Sequence, residues 1–102
     1  MSTPTGTGEV FIRHAVAHDV VARMRYQPGC DVENATKQAI DQLPDETDGV
    51  GGLIALDKDF KHAFAMSAKS LGMYRGYVTE RGDMFVAIGA ADTPKPIKLA
   101  NE

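Results

Sequence analysis

The spacing of apolar residues changes once along this chain, after Pro44, and this change limits the folds that it can adopt. Before Pro44 the apolar residues recur at helical intervals, which predicts two helices, at about 9–26 and 31–43. After Pro44, short apolar runs bounded by turn residues predict four strands and then a surface tail. The strands are expected at about 51–56, 62–67, 73–79 and 84–90, and the tail at 91–102. Two helices followed by an antiparallel meander predict an α+β fold, with the helices packed on one four-stranded sheet.

The same spacing predicts which side of each helix is buried. In the first helix the expected apolar face consists of Val10, Ala17, Val21 and Met24, with Ile12, Val16 and Val20 beside it. The second helix is expected to begin at Asp31, a residue type that caps helix N-termini well. Its predicted apolar face consists of Val32, Ala35, Ala39, Ile40 and Leu43.

The first predicted strand, "GGLIAL" at Gly51–Leu56, is apolar at nearly every position rather than at alternate ones. Uninterrupted apolar strands are typical of sheets that are buried on both faces. The two predicted helices are enough to cover one face only. The other face is therefore expected to be covered from elsewhere, by another polypeptide or by a second copy of the chain.

Length, charge and cysteine content exclude several classes of protein. The 102 residues correspond to one domain or part of one, and we expect a single partial domain. A net charge of −3 with scattered basic residues argues against nucleic-acid binding. No apolar run reaches the ~20 residues of a membrane span and no signal peptide is evident, so a cytoplasmic protein is expected. The lone cysteine, Cys30, cannot form an internal disulfide and is expected to be structural.

Three polar residues, His14, His18 and Arg75, are candidates for chemical sites. His14 and His18 lie four residues apart on the first predicted helix, a spacing at which two imidazoles can share a metal ion. No third ligand accompanies them, so structural histidines are expected, with no metal and no cofactor. Arg75 in "MYRGY" has the side chain to bind a carboxylate through two nitrogens, although a structural or solvated role is favoured.

The segment "TGTGE" places two threonines and two glycines, Thr5–Gly8, before the first predicted helix. Free backbone N–H groups at the N-terminus of a helix suit a carboxylate, a phosphate or a developing oxyanion. The local pattern also fits an ordinary N-terminal tail, and by itself it favours the tail.

Three separated stretches together resemble one family. "TGTGEVFIRHAVAHDVVARM", "GVGGLIALDKD" and "GMYRGYV" are similar to the C-terminal part of the β-subunit of plant-type L-asparaginases, the isoaspartyl peptidase branch of the N-terminal nucleophile hydrolases. The resemblance covers about residues 5–90. It implies a four-layer αββα sandwich, of which this chain would form one helical layer and part of one sheet. It also implies hydrolysis of L-asparagine and of β-aspartyl dipeptides by a threonine that self-cleavage of a precursor exposes.

Carried onto this sequence, the resemblance implies that Thr5 and Gly6 form the oxyanion hole and that Thr5, Gly6, Thr7 and Gly8 bind substrate. The nucleophilic threonine, the substrate-binding segment and the α-subunit are expected upstream, in a partner polypeptide or in a missing N-terminal part of the β-subunit. The chain alone is therefore expected to be inactive. In two departures from the family, Pro4 replaces a small residue, and Phe60 and Lys61 lie where the hairpin normally turns through glycine.

Two other functions stay open on the sequence. The first is a non-enzymatic scaffold domain that has kept this fold and self-associates through its uncovered sheet face. The second is a small-anion binder that uses the turn at Thr5–Gly8.

Overall fold

The computed structural model describes residues 1–43, 51–67, 70 and 72–97. Its Cα atoms cluster into two compact units, Met1–Ser70 and Leu71–Glu102. The single partial domain expected for the whole chain stays a prediction. The end of the predicted tail, 98–102, lies outside the described residues. In the described ranges, no helix has the length and hydropathy needed to cross a membrane.

Within the described residues, the first unit contains three strands and three helices, and the second contains three strands. In chain order these are β1 Ser2–Gly6, α1 Gly8–Arg13, α2 Val16–Tyr26, α3 Val32–Asp41, β2 Gly51–Leu56, β3 His62–Met66, β4 Gly72–Val78, β5 Met84–Gly89 and β6 Lys95–Ile97. One antiparallel sheet has the order β1-β2-β3 and the other β4-β5-β6.

These sheets confirm the α+β class and correct the predicted single four-stranded sheet. Strands β2 to β5 lie within one residue of the predicted ranges. The second edge of β2, however, pairs with β1, and the second edge of β5 pairs with β6. Strand β1 comes from the segment that was expected to be an N-terminal turn or tail, and β6 comes from the expected C-terminal tail. Strand β1 is about fifty residues from β2 in the sequence, and β6 has only three residues, one of them a proline, so no local hydrophobic pattern revealed either pairing.

The predicted first helix, 9–26, is divided into α1 and α2 by Ala15, which has the left-handed backbone conformation φ 48°, ψ 47°. The buried residues are Val10 and Phe11 in α1 and Val16 and Val20 in α2. At about 100° per residue, one continuous helix would spread these four side chains over about 220°, more than half of its circumference. The break at Ala15 allows all four side chains to be buried. Val21, expected on the buried face, is instead exposed.

Helix α3 follows the sequence pattern closely. The Asp31 carboxylate accepts a hydrogen bond of 2.8 Å from the Asn34 N–H, as expected for an N-cap. Its apolar face packs with α2 and with β2 and β3 around Leu53, which is fully buried. The core therefore lies between the helices and one face of the first sheet. Its buried members are Phe11, Val16, Val20, Val32, Ala35, Ala39, Ile40, Leu53, Ala55 and Ala63.

A network of side chains joins α2 to α3 at the edge of this core. The Arg23 guanidinium contacts both carboxylate oxygens of Asp19, at 2.9 and 3.3 Å, from one turn further along α2. It also donates to Gln38 at 2.9 Å and to Gln42 at 2.6 Å, both in the α3 region. One planar cation thus fixes the spacing of two helices through hydrogen bonds of defined direction.

The hairpin between β2 and β3 turns at residues 57–61. The Asp57 carboxylate accepts hydrogen bonds from the N–H groups of Asp59 and Lys61, at 2.8 and 2.9 Å. Phe60 has a left-handed backbone, φ 64°, and its side chain is 81% exposed. An aromatic residue in this conformation is uncommon because its side chain crowds the backbone. The departure noted at Phe60 in the sequence therefore falls on a position whose backbone favours glycine.

Candidate functional site

The candidate site is built where β1 ends and α1 begins. At the start of β1, Met1 and Leu56 exchange two backbone hydrogen bonds, each 2.8 Å long. Bonded pairs alternate along an antiparallel ladder, and the register pairs Thr3 with Ile54 and Thr5 with Gly52. The backbone groups of Thr3 and Thr5 therefore face β2. The backbone groups of Ser2, Pro4 and Gly6 face away from β2. They lie at the edge of the sheet, which is called the free edge because no other described strand pairs with β1 there.

Thr5 and Gly6 present two hydrogen-bond donors in different directions. Pro4 pairs with Leu53 in β2, and Leu53 pairs with Ala65 in β3. Leu53 belongs to the core and Ala65 packs against it, so Pro4 lies on the helix side of the sheet, and side chains alternate between the two faces of a strand. The exposed Thr5 side chain is therefore on the opposite face. The Gly6 N–H lies at the edge. Gly6 has φ 122°, which strongly favours glycine, and this conformation turns the chain out of β1.

Thr7 and Gly8 occupy the first turn of α1. Thr7 is the N-cap of α1 without a side-chain cap hydrogen bond, and its carbonyl accepts from the Val10 N–H at 3.1 Å. Gly8 is exposed and is the first residue of the helix. Because α1 has only six residues, its dipole is much smaller than that of the long helix predicted at 9–26. The α1 dipole therefore adds little to anion binding, and the site depends on individual donors.

A cavity of about 400 Å³ adjoins this turn. It lies between β1 and the helices α1 and α2, and most of its lining is apolar. The lining residues are Pro4, Thr5, Gly8, Phe11, Ile12, Ala15, Val16, Ala17 and His18. An apolar group fits such a surface better than a charged one.

The other polar candidates do not assemble into sites. His14 ends α1 while His18 belongs to α2, so the break at Ala15 removes the helical spacing that suggested a shared metal ion. Among the residues described, no three His, Cys, Asp or Glu side chains gather as metal ligands. Cys30 is half-buried beside the core.

Arg75 has a structural role in the second unit. Its Nη1 donates to the carbonyls of Met73 and Gly89, at 2.9 and 3.2 Å. Its Nη2 donates to the carbonyl of Asp92 at 2.6 Å. The guanidinium thus ties β4 to β5 and to the turn after β5. These bonds use three of the five N–H groups of the guanidinium, so backbone carbonyls hold Arg75 in the structural role that the sequence favoured.

Comparison with known proteins points to one family. The family model described as asparaginase matches residues 2–88. The probable isoaspartyl peptidase/L-asparaginase 2 of Arabidopsis thaliana is 42% identical over 84 residues, which are 82% of this chain and 24% of that protein. The isoaspartyl peptidases of Escherichia coli and Salmonella typhimurium are 40% and 38% identical over 73 residues, which are 72% of this chain and 22% of each relative. The chain therefore spans less than a quarter of the length of these curated relatives.

Proposed function

Because the chain belongs to the asparaginase family, we propose that it forms part of an amide hydrolase that acts on L-asparagine and on β-aspartyl dipeptides. The observation that carries this proposal is the end of β1. There a threonine hydroxyl and a glycine N–H extend from the sheet at successive positions, Thr5 and Gly6. The Thr5 backbone is held in the ladder with β2, so the hydroxyl and the next N–H remain for a ligand.

In the proposed reaction, the nucleophile attacks the side-chain amide carbonyl and the carbonyl oxygen acquires negative charge. Donors that are already oriented stabilise this charge without reorganisation, which is the largest single effect in many acyl-transfer enzymes. We assign this role to the Thr5 hydroxyl and the Gly6 N–H, and we assign the adjoining substrate contacts to Thr7 and Gly8. A threonine outside these 102 residues supplies the nucleophile, with its own amine as the base.

It follows from this proposal that the 102 residues alone do not turn over substrate. An enzyme that has lost its nucleophile keeps only a small residual activity from its oxyanion donors, so these donors alone give no appreciable amide hydrolysis. The proposal includes two partners, the α-subunit and the N-terminal part of the β-subunit. It also places the assembled protein in the cytoplasm and gives it no cofactor.

A completed enzyme tests the proposal. The 102 residues would replace the matching segment of the E. coli isoaspartyl peptidase, and ammonia release from L-asparagine and aspartate release from a β-aspartyl dipeptide would be measured. We expect Thr5→Val to lower kcat by about 10²–10³-fold, because valine keeps the shape and loses the donor. Thr3→Val is the matched control, since Thr3 lies two residues earlier on the same face of β1. Equal kcat values for the two variants would contradict the assignment.

A second candidate, self-association as a scaffold, is favoured by the outer face of the first sheet. Ile54 lies on this face, away from the helices, and is 45% exposed. Exposed apolar sheet surface favours association with another chain. In light scattering after size exclusion, the scaffold proposal predicts a dimer or larger species of the 102-residue chain that Ile54→Lys dissociates. A folded wild-type monomer would contradict it.

A further inference from the structure

Gly51, the first residue of β2, makes an unusually close approach to the end of β1. It lies opposite Gly6 in the ladder. A Cβ atom at position 51 would lie 2.3 Å from the carbonyl oxygen of Thr5, well inside any allowed contact. It would also lie 2.6 and 2.8 Å from two ring carbons of the buried Phe11. Position 51 therefore has no space for a side chain, and the missing Cβ leaves room for the Thr5 carbonyl.

Ser67 holds Gly51 from the other side. The Gly51 N–H donates to the Ser67 hydroxyl oxygen at 3.1 Å, and the Ser67 N–H donates to the Gly51 carbonyl at 2.7 Å. Ser67 immediately follows β3, so these two bonds extend the contact between β2 and β3 by one position. Gly51 is thus fixed between Ser67 on one side and Thr5 on the other.

The Thr5 carbonyl and the Gly6 N–H belong to the same peptide group. That group is planar and trans, so its C=O and N–H point in opposite directions. A contact that fixes the carbonyl oxygen toward β2 therefore fixes the N–H toward the free edge. Any atom that pushes the Thr5 oxygen away from Gly51 also turns the Gly6 N–H.

We propose that Gly51 and Ser67 are positioning residues, which set the direction of the Gly6 N–H through the Thr5 carbonyl. For its catalytic consequence this inference rests on the proposed function, in which that N–H stabilises the developing oxyanion. The geometric part, from Ser67 through Gly51 to the Thr5–Gly6 peptide, concerns the structure alone. The two parts can therefore be tested separately.

The first measurement follows the backbone amide NMR signals of the 102-residue chain. Gly51→Ala should move the signals of Thr5 and Gly6 more than that of Thr3. The matched control is Gly76→Ala, whose Cβ would lie 2.9 Å from the Phe85 carbonyl oxygen in the second unit. That control should leave the Thr5 and Gly6 signals unchanged. Unchanged Thr5 and Gly6 signals in a folded Gly51→Ala chain would overturn the inference, whether or not the completed enzyme is active.

The second measurement uses the enzyme completed with the E. coli relative. Since a small misplacement of a catalytic donor is costly, we expect Gly51→Ala to lower kcat by about 10²-fold and to change KM little. Ser67→Ala should lower kcat in the same way but by a smaller factor. Gly76→Ala should leave kcat unchanged. If the completed wild type hydrolyses neither substrate, the proposed function fails, and the amide signals alone decide the inference.

A double variant separates positioning from folding. Gly51→Ala combined with Phe11→Leu removes the clash with the ring but keeps the clash with the Thr5 oxygen. We expect it to regain much of the stability lost in Gly51→Ala while kcat stays low. Recovery of both stability and kcat would show that position 51 acts only through core packing, and the positioning role would be lost.

Discussion

Replacing Ala15 by glycine tests the break between α1 and α2 through the sign of its effect on stability. Ala15 has φ 48°, ψ 47°, a conformation in which the Cβ of an L-residue costs about 1–2 kcal/mol. Glycine removes that cost, while its greater freedom in the unfolded chain costs about 0.4–1 kcal/mol. We expect Ala15→Gly to stabilise the protein by about 0.5 kcal/mol. In one continuous helix over 9–26, the same change would destabilise it by about 1 kcal/mol.

A matched substitution within α2 provides the comparison. Ala22 lies in the middle of α2, so Ala22→Gly should destabilise the protein by about 1 kcal/mol. Both changes remove one methyl group, which is exposed at Ala15 and half-buried at Ala22, and the main difference is the backbone conformation that the residue adopts. Urea unfolding followed by far-ultraviolet circular dichroism gives both free energies of unfolding. If Ala15→Gly lost as much stability as Ala22→Gly, the left-handed break would be refuted and the continuous helix restored.

Three further substitutions test local features of the first unit by the same unfolding measurement. Phe60→Gly should stabilise the protein by about 0.5–1 kcal/mol, because Phe60 has φ 64° and an exposed side chain, and a loss of stability would contradict this. Asp31→Ala should lower the free energy of unfolding by about 1 kcal/mol because the N-cap is lost, whereas Asp31→Asn should keep most of the wild-type stability because asparagine also caps helices. Arg23→Met should cost about 1–2 kcal/mol, and a double-mutant cycle with Gln38→Met should give a clear coupling energy, whereas a coupling near zero would exclude the bridge between helices.

The sequence located strands better than it located their partners. "GGLIAL" and "MFVAIGA" are rich in apolar and β-branched residues between turn residues, and such runs are local signals. Strand β1 carries no such signal, because Pro4 and the glycines after it are typical of a turn. Its pairing with β2 joins residues about fifty positions apart in the chain. The sequence pattern therefore missed the third strand of the first sheet.

The candidate site was predicted in part. The residue types at Thr5 and Gly6 suggested donors, and the structure gives the end of β1 as the element that holds them. The supporting role inferred for Gly51 was missed, although "GVGG" was among the stretches that carry the resemblance. The clue in the sequence is a glycine pair at the start of a strand, a place where side chains normally add stability. Only the cross-strand register shows that this pair lies opposite Thr5 and Gly6.

The geometry of β1 also restricts how the rest of an enzyme can approach the site. The Thr5 hydroxyl projects from the outer face of the sheet, and the Gly6 N–H points out from its edge. One oxygen atom can therefore accept hydrogen bonds from both donors only where the face meets the edge. A further strand added beside β1 would find an N–H on Ser2 but none on Pro4, whose ring nitrogen faces that edge. Such a strand must end before Gly6, because pairing there would consume the donor. If the proposed function holds, the nucleophile must therefore reach the carbonyl from beyond the point where this pairing ends.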